Sequence, residues 1–133
     1  MLGELEEKSG RVVVADLEAG VGTISRLQAT DVDLLVLVVE PYARSVEVGK
    51  RALKIAREVG VREVVVVASR VVGGDDVAEV RTASPDLKVF TIPEDPAVLE
   101  ADREGLAPID HAPTSPAVSA IADIASELVP SGL

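Results

Sequence analysis

The sequence predicts an α/β protein, a three-layer domain with an open, mainly parallel sheet and helices on both faces. Short apolar runs rich in β-branched residues alternate with longer amphipathic stretches, which is typical of βαβ units. Aliphatic residues are abundant, whereas the chain has one Phe, one Tyr and no Trp. Such a composition suits helices packed on strands that are buried on both faces. The length of 133 residues is enough for one core.

Four strands are expected along the chain. Each is short, mostly β-branched and bounded by polar or turn residues. They are Arg11 to Ala15, Leu34 to Val39, Glu63 to Ala68 and Lys88 to Ile92. The longest apolar run, Leu34 to Val39, is far too short to span a membrane.

Helices are expected where apolar residues recur at helical spacing between start and stop residues. They are residues 47–60, a short helix that starts at Asp75 or Asp76, residues 95–105 and residues 115–129. Gly60 supplies a C-terminal stop for the first of these helices. Ser115 as N-cap and Pro116 at the first helical position begin the last one.

Charge and cysteine content narrow the possible partners. Thirteen Lys and Arg against 23 Asp and Glu give a formal charge of −10, which argues against nucleic-acid and membrane-surface binding. The chain has no cysteine, and residues 1–10 lack the apolar core of a signal peptide. We therefore expect a cytoplasmic protein with a lead-in at 1–10, one domain at 11–129 and a tail at 130–133.

The candidate site follows from the fold class. In an open parallel sheet, ligands bind beyond the carboxyl ends of the strands. Four groups of residues come directly after the four expected strands, and we expect them to lie along one rim. The groups are Asp16 to Gly20, Glu40-Pro41, Ser69-Arg70 and Pro93-Glu94-Asp95.

The turn GVGT, residues 20–23, suggests a phosphate loop, but no lysine follows Gly22 and no segment of the chain matches G-x-x-x-x-G-K-[ST]. A dinucleotide fingerprint fails as well, because Ser25 stands where its third glycine belongs. The pair Asp16 and Gly20 fits a different role. A carboxylate at a strand tip can reach Mg²⁺ through water, and a glycine lets a backbone N–H approach a terminal phosphate. An Asp at this position is equally often a turn residue or a helix cap.

With these motifs the chain resembles the MinD/ParA group of deviant Walker P-loop ATPases, especially the CooC-like ATPases that mature carbon monoxide dehydrogenase. VVVADLEAG resembles the strand and second Walker motif, and LLVLVVEPYARSVEVGKRALKIARE resembles the next strand, its E-P turn and a helix. VVVVASRV stands in place of a strand that ends in Asn-Lys or Asn-Arg in the family. TIPEDPAVLEADREGLAPI resembles the segment beside the adenine. The resemblance covers roughly residues 11–129.

The resemblance implies ATP and Mg²⁺ as ligands, with no catalytic residue assigned. It implies that Asp16 holds Mg²⁺ through water and that Gly20 senses the γ-phosphate. The residues implied on the base side are Ser69, Arg70, Pro93, Glu94 and Asp95. The hydroxyl of Ser69 replaces the family's adenine-reading Asn and cannot form a bidentate pair.

Two family features do not occur in these 133 residues: the amino-terminal strand with its G-K-G-G-V-G-K-[ST] loop, and the Cys-x-Cys that CooC-like members use for nickel. The resemblance therefore implies the C-terminal portion of a truncated ATPase, which binds Mg-ATP weakly unless a partner supplies the P-loop. An alternative is a non-enzymatic interaction module that pairs with a full-length relative. A third possibility is a misassigned start at Met1. The sheet edge left open by the missing unit predicts a homo-oligomer or a P-loop-bearing partner.

Several polar residues have a plainer explanation than ligand binding. Glu40 before Pro41 more often shapes a turn than binds a metal, and Arg70 is slightly favoured as a solvated loop cation. Tyr42 covers either the rim or the edge of the core. His111, the one histidine, lies in a Pro-rich connection without a Ser or Cys to activate. A surface role is expected for it.

Overall fold

The structure, a computed structural model, describes residues 12–17, 21–26 and 32–129. The elements in chain order are α1 (Val21–Ile24), β1 (Leu34–Val39), α2 (Ala43–Glu58), β2 (Glu63–Val71), α3 (Gly74–Ala83), β3 (Val89–Pro93), α4 (Pro96–Glu104), α5 (Pro108–His111) and α6 (Pro116–Leu128). The described strands form one parallel sheet in the order β1-β2-β3. The arrangement confirms the predicted α/β fold class and is consistent with a P-loop NTPase-like fold.

Strand β2 is the centre of the sheet. Its residues Val65, Val66, Val67 and Ala68 are 4%, 2%, 3% and 0% exposed. Because successive side chains of a strand point to opposite faces, both faces of β2 are covered. A continuous apolar run of this kind is what a central parallel strand requires.

Helices α2 and α3 cover one face of the sheet. Alternate residues of β1 pack there with buried residues of the two helices, and the cluster includes Leu35, Leu37, Val39, Val46, Ala52, Leu53, Ala56, Val66, Ala68 and Val80. Helix α2 begins about one turn before its predicted start. It ends at Glu58, and Gly60 follows with the left-handed φ of 83°, so the predicted glycine stop is confirmed.

Helix α6 covers the second face beside β3. It contacts β3 and buries Ala117 and Val118, while α4 buries Ala101. Helix α4 begins and ends as expected, with Asp95 as N-cap and Gly105 at a φ of 68°. The longest described helix, α2, has 16 residues. None of the described helices is long and apolar enough to cross a membrane.

The second layer of helices stops short of β1. Val36 and Val38 are the register partners of Val65 and Val67, so the four side chains share one face of the sheet. Val36 and Val38 are 40% and 64% exposed, whereas Val65 and Val67 are 4% and 3% exposed. Within the described residues, β1 therefore has an uncovered face and pairs with a strand on one side only.

The predicted strand at Arg11 to Ala15 is wrong for the part that the structure describes. Residues 12–17 have no strand structure, and Val12, Val13 and Val14 are 51%, 53% and 89% exposed. A β-branched run becomes a strand only where another strand offers hydrogen-bond partners. The described sheet pairs β1 with β2 and leaves residues 12–17 without such a neighbour.

Gly49 marks a close approach between α2 and β1, and it supplies a first test of the packing. A Cβ at this position would lie 2.7 Å from Val39 Cγ1, and the β-branched Val39 cannot easily turn away. Overpacking costs about 1–3 kcal/mol, against a helix-propensity gain of about 1 kcal/mol for Gly→Ala. We expect Gly49→Ala to lower the free energy of unfolding by about 1 kcal/mol in urea titrations.

The matched control is Gly74→Ala, because no atom lies within 4 Å of a Cβ built at Gly74. Val39→Ala lowers stability by itself because Val39 lies in the core, but it removes the clashing methyl group, so Gly49→Ala should cost less in the Val39→Ala background than in the unmodified protein. If Gly49→Ala were as stable as the Gly74→Ala control, the close packing of α2 on β1 would be contradicted.

Candidate functional site

Three charged side chains meet at the carboxyl ends of the three strands. Glu40 follows β1, Arg70 lies near the end of β2, and Glu94 follows β3. Arg70 Nη1 is 3.5 Å from Glu40 Oε1, and Arg70 Nη2 is 3.2 Å from Glu94 Oε1. The hydrogen bond to Glu94, and next the charge of Glu40, raise the pKa of the Arg70 guanidinium above its usual value. We call these three residues the rim triad.

The backbone of β2 is irregular where it carries Arg70. Between the pairs Ala68↔Thr91 and Val71↔Pro93, β2 advances by three residues while β3 advances by two, so β2 contains a bulge. Arg70 has a φ of 57° and is the one non-glycine residue with a positive φ in the described part of the chain. The sequence does not predict this conformation, because position 70 carries neither glycine nor asparagine, the residues that adopt a positive φ most readily.

Ion pairing alone does not account for the conformation of Arg70. The side chains of Arg70, Glu40 and Glu94 are 53%, 39% and 49% exposed. Exposed ion pairs of this kind add little to stability. A left-handed backbone, in contrast, is unfavourable for any residue with a Cβ. Backbone strain of this type is concentrated at functional sites.

Asp95 lies next to the rim triad, but its carboxylate accepts hydrogen bonds from two helix N-termini. Its Oδ1 accepts a hydrogen bond of 3.0 Å from the Ala97 N–H of α4, and its Oδ2 accepts one of 2.9 Å from the Ala117 N–H of α6. The bond from Ala117 lowers the pKa of the Asp95 carboxyl most, desolvation opposes the shift, and the nearby Ser115 hydroxyl and the Ala97 N–H lower the pKa further. The carboxylate is thus a shared cap that joins α4 to α6.

Ser115 occupies the predicted N-cap position of α6 but does not act as the capping side chain. Its hydroxyl makes no cap hydrogen bond, and Ser115 Oγ is buried without a hydrogen-bond partner. Asp95 supplies the acceptor for α6 instead. The sequence predicted a helix that begins at Asp95, but not that Asp95 caps two helices, because the second cap depends on how α4 and α6 pack.

The other predicted site residues are not part of the rim triad. Ser69 is half-buried in β2 beside the bulge, and Pro93 is half-buried at the end of β3. Asp16 is exposed and does not end a strand, and no hydrogen bond or ion pair joins it to another described residue. Gly20 lies outside the described residues. In the described ranges no group of three or more His, Asp or Glu could hold a metal ion.

His111 and Glu40 make structural contacts. His111 Nδ1 is 3.2 Å from Glu104, and His111 Nε2 is 3.7 Å from Glu100. These contacts connect α5 to successive turns of α4. The four-residue spacing of Glu100 and Glu104 in the sequence already places the two side chains on one face of that helix. The Glu40 N–H donates to Ser45 Oγ at 3.0 Å, so this residue shapes the turn into α2 as well as pairing with Arg70.

A groove of about 280 Å³ lies between β3 and α6, where Phe90, Ala120 and Ile124 contribute to its lining. No residue of the rim triad lines it. The groove therefore does not coincide with the predicted nucleotide side, which is an open rim rather than a preformed pocket.

The chain is similar to a carbon monoxide dehydrogenase accessory protein and to two proteins named as ATP-binding. It is 30% identical over 114 residues to the carbon monoxide dehydrogenase accessory protein CooC of Rhodospirillum rubrum, which covers 85% of this chain and 43% of CooC. Two uncharacterised ATP-binding proteins of Methanocaldococcus jannaschii are also similar. One is 34% identical over 71 residues, which are 53% of this chain and 28% of the relative. The other is 28% identical over 121 residues, which are 89% of this chain and 46% of the relative.

No family model matches the chain. The chain spans less than half the length of each of these curated relatives. The similarities support a P-loop ATPase-like family and a CooC-like ATP-binding protein.

The shared cap at Asp95 leads to a pH-dependent prediction. A carboxyl whose pKa is lowered in the folded state adds stability above its ordinary pKa of about 4, and the contribution is lost as the pH falls through the lower folded value. We expect Asp95→Asn to lower the melting temperature at pH 7, since one amide oxygen cannot replace two carboxylate oxygens. The difference from the unmodified protein should shrink as the pH falls below about 4.

Asp102→Asn is a matched control, because Asp102 is an exposed acid on the same helix α4. Thermal unfolding of both variants from pH 7 to pH 3 measures the effect. A loss in Asp95→Asn that has the same size at all pH values would contradict the role of the charged carboxylate.

Proposed function

We propose that this chain is the C-terminal portion of a MinD/ParA-type, CooC-like ATPase, and that it binds Mg-ATP weakly or incompletely until a partner supplies a P-loop. The observation that carries the proposal is the rim at the carboxyl ends of β1, β2 and β3 in a chain similar to ATP-binding proteins. Ligands of open parallel sheets bind at such rims.

Ser69, Arg70, Pro93 and Glu94 would form the base side of the site, and Asp95 would hold the segment after β3 in place through its two caps. Asp16 would reach Mg²⁺ through water, and Gly20 would approach the γ-phosphate. The exposed Asp16 carboxylate fits such a role, since it has no described partner to give up. Mg²⁺ usually binds one or two carboxylates together with substrate phosphates, so a single carboxylate suits an ion that arrives with ATP.

Weak binding follows from the motifs that the sequence lacks. A P-loop surrounds the phosphates with backbone N–H groups and a lysine, and no such segment occurs in the 133 residues. Asp16 and the rim triad together bring more negative than positive charge to a highly anionic ligand. We assign no catalytic residue to the chain.

We expect the isolated chain to bind Mg-ATP with a dissociation constant of about 1 mM or weaker, equivalent to roughly −4 kcal/mol. Asp16→Ala should remove the Mg²⁺-dependent part of the binding in calorimetric titrations. Asp33→Ala serves as the control, because Asp33 is also exposed and lies outside the candidate site. Submicromolar binding that Asp16→Ala leaves unchanged would contradict the proposal.

The second candidate function is a non-enzymatic interaction module that pairs with another copy or with a P-loop-bearing relative. The uncovered face of β1 favours it, since parallel strands are normally covered on both faces and Val36 and Val38 are 40% and 64% exposed. An edge strand without charged residues also invites pairing.

A cytoplasmic location and the lack of a nucleic-acid partner are part of the proposal, in line with the charge of −10 and the absence of cysteine.

The interaction module predicts that Val38→Lys abolishes association without unfolding the chain, because a charge would enter the apolar contact while the residue is 64% exposed in the free chain. Val48→Lys is the control, since Val48 is 46% exposed on helix α2. Sedimentation of the chain alone, and with a P-loop-bearing relative in the presence and absence of ATP, measures association. A strictly monomeric chain that forms no complex would contradict this function.

A further inference from the structure

We propose that Arg70 is a positioning residue of the rim: the bulge of β2 presents its guanidinium to Glu40 and Glu94, and this bridge fixes the turns after β1 and β3 relative to each other. The inference concerns the same rim and rests on the proposed function for its relevance to nucleotide. It assigns to Arg70 a role that acts through its neighbours, in addition to its place on the base side of the proposed site.

The rim triad takes one residue from each of the three strand ends, and Arg70 stands in the middle with one Nη atom toward each glutamate. The planar guanidinium directs one donor toward each carboxylate in a fixed geometry. A lysine ammonium could reach the same carboxylates, but its freely rotating donors would fix the relative positions of the two turns less well.

The bulge and the φ of 57° occur at Arg70 itself, and a bulge next to a site serves to redirect a side chain. Immediately after it, the regular pattern resumes, because the Glu94 N–H donates to the Val71 carbonyl at 2.9 Å. The strain is thus confined to the residue whose side chain forms the bridge.

The bridge connects two turns that are themselves held by hydrogen bonds. On one side, the Tyr42 N–H donates to the Glu40 carbonyl at 2.8 Å, which holds the turn into α2. On the other side, Glu94 precedes Asp95, which caps α4 and α6. A bridge from Glu40 to Glu94 therefore links the first helical layer to the second across the strand ends.

The test compares Arg70→Gly, Arg70→Lys and the control Arg51→Gln by amide hydrogen exchange and by nucleotide titration. Glycine tolerates the left-handed backbone, so Arg70→Gly removes the bridge without preventing the bulge. Arg51 pairs with Glu47 on the exposed surface of α2 and lies away from the rim. We expect the Tyr42 and Glu94 amides to exchange several-fold faster in Arg70→Gly, with a melting temperature equal to or above that of the unmodified protein.

Arg70→Lys should restore the charge but not the slow exchange, and Arg51→Gln should change neither amide. Unchanged exchange at both amides in Arg70→Gly would overturn the proposal. So would full protection in Arg70→Lys, because charge alone would then suffice. These exchange results do not require nucleotide, so they decide the role of Arg70 even if the unmodified chain fails to bind Mg-ATP and the proposed function falls.

If the unmodified chain does bind Mg-ATP, loss of a preorganised rim should weaken binding by about tenfold in Arg70→Gly. Binding that is as strong in Arg70→Gly as in the Arg51→Gln control would also overturn the proposal.

Discussion

An apolar strand in a parallel sheet needs other apolar residues packed on both of its faces. The described strands differ in how far this requirement is met. Strand β2 meets it completely, since Val65 to Ala68 are at most 4% exposed. Strand β1 meets it on one face only, where Leu35, Leu37 and Val39 join the core. The other face of β1 exposes Val36 and Val38, so the fold as described is complete at β2 and open at β1.

The rim inherits its geometry from the same sheet. Because the three strands are parallel, their carboxyl ends come together, and Glu40, Arg70 and Glu94 meet there. Asp95 adds a second connection at the same level by capping both α4 and α6. The candidate site is therefore built from rigid strand ends and helix N-termini on one side, and lacks a phosphate loop on the other. The proposed half of a nucleotide site would account for the open form of the rim and for the similarity of the chain to ATP-binding proteins.

Sequence patterns predicted the elements whose formation depends on local preference and burial. Strand β1 has the predicted bounds, and the apolar run after Glu63 is the central strand. The strand expected at Arg11 to Ala15 failed over its described residues, because a strand depends on a neighbour that periodicity cannot reveal. Strand β2 continues through the bulge at Arg70 to Val71, beyond its predicted end at Ala68. Neither the positive φ of Arg70 nor its pairing with Glu40 and Glu94 could be predicted from the sequence. The double cap at Asp95 depends likewise on the packing of α4 against α6. The placement of Asp16 and Gly20 beside a nucleotide stays a prediction.

A nuclear magnetic resonance titration of the labelled chain with Mg-ATP, in which shifts are mapped residue by residue, decides whether the strand ends bind nucleotide. A nucleotide site at the strand ends predicts that the largest shifts occur at Ser69, Arg70 and residues 93–95, with a further set around Asp16. Shifts confined to the groove between β3 and α6, or no shifts at millimolar Mg-ATP, would contradict the claim that this rim is half of a nucleotide site.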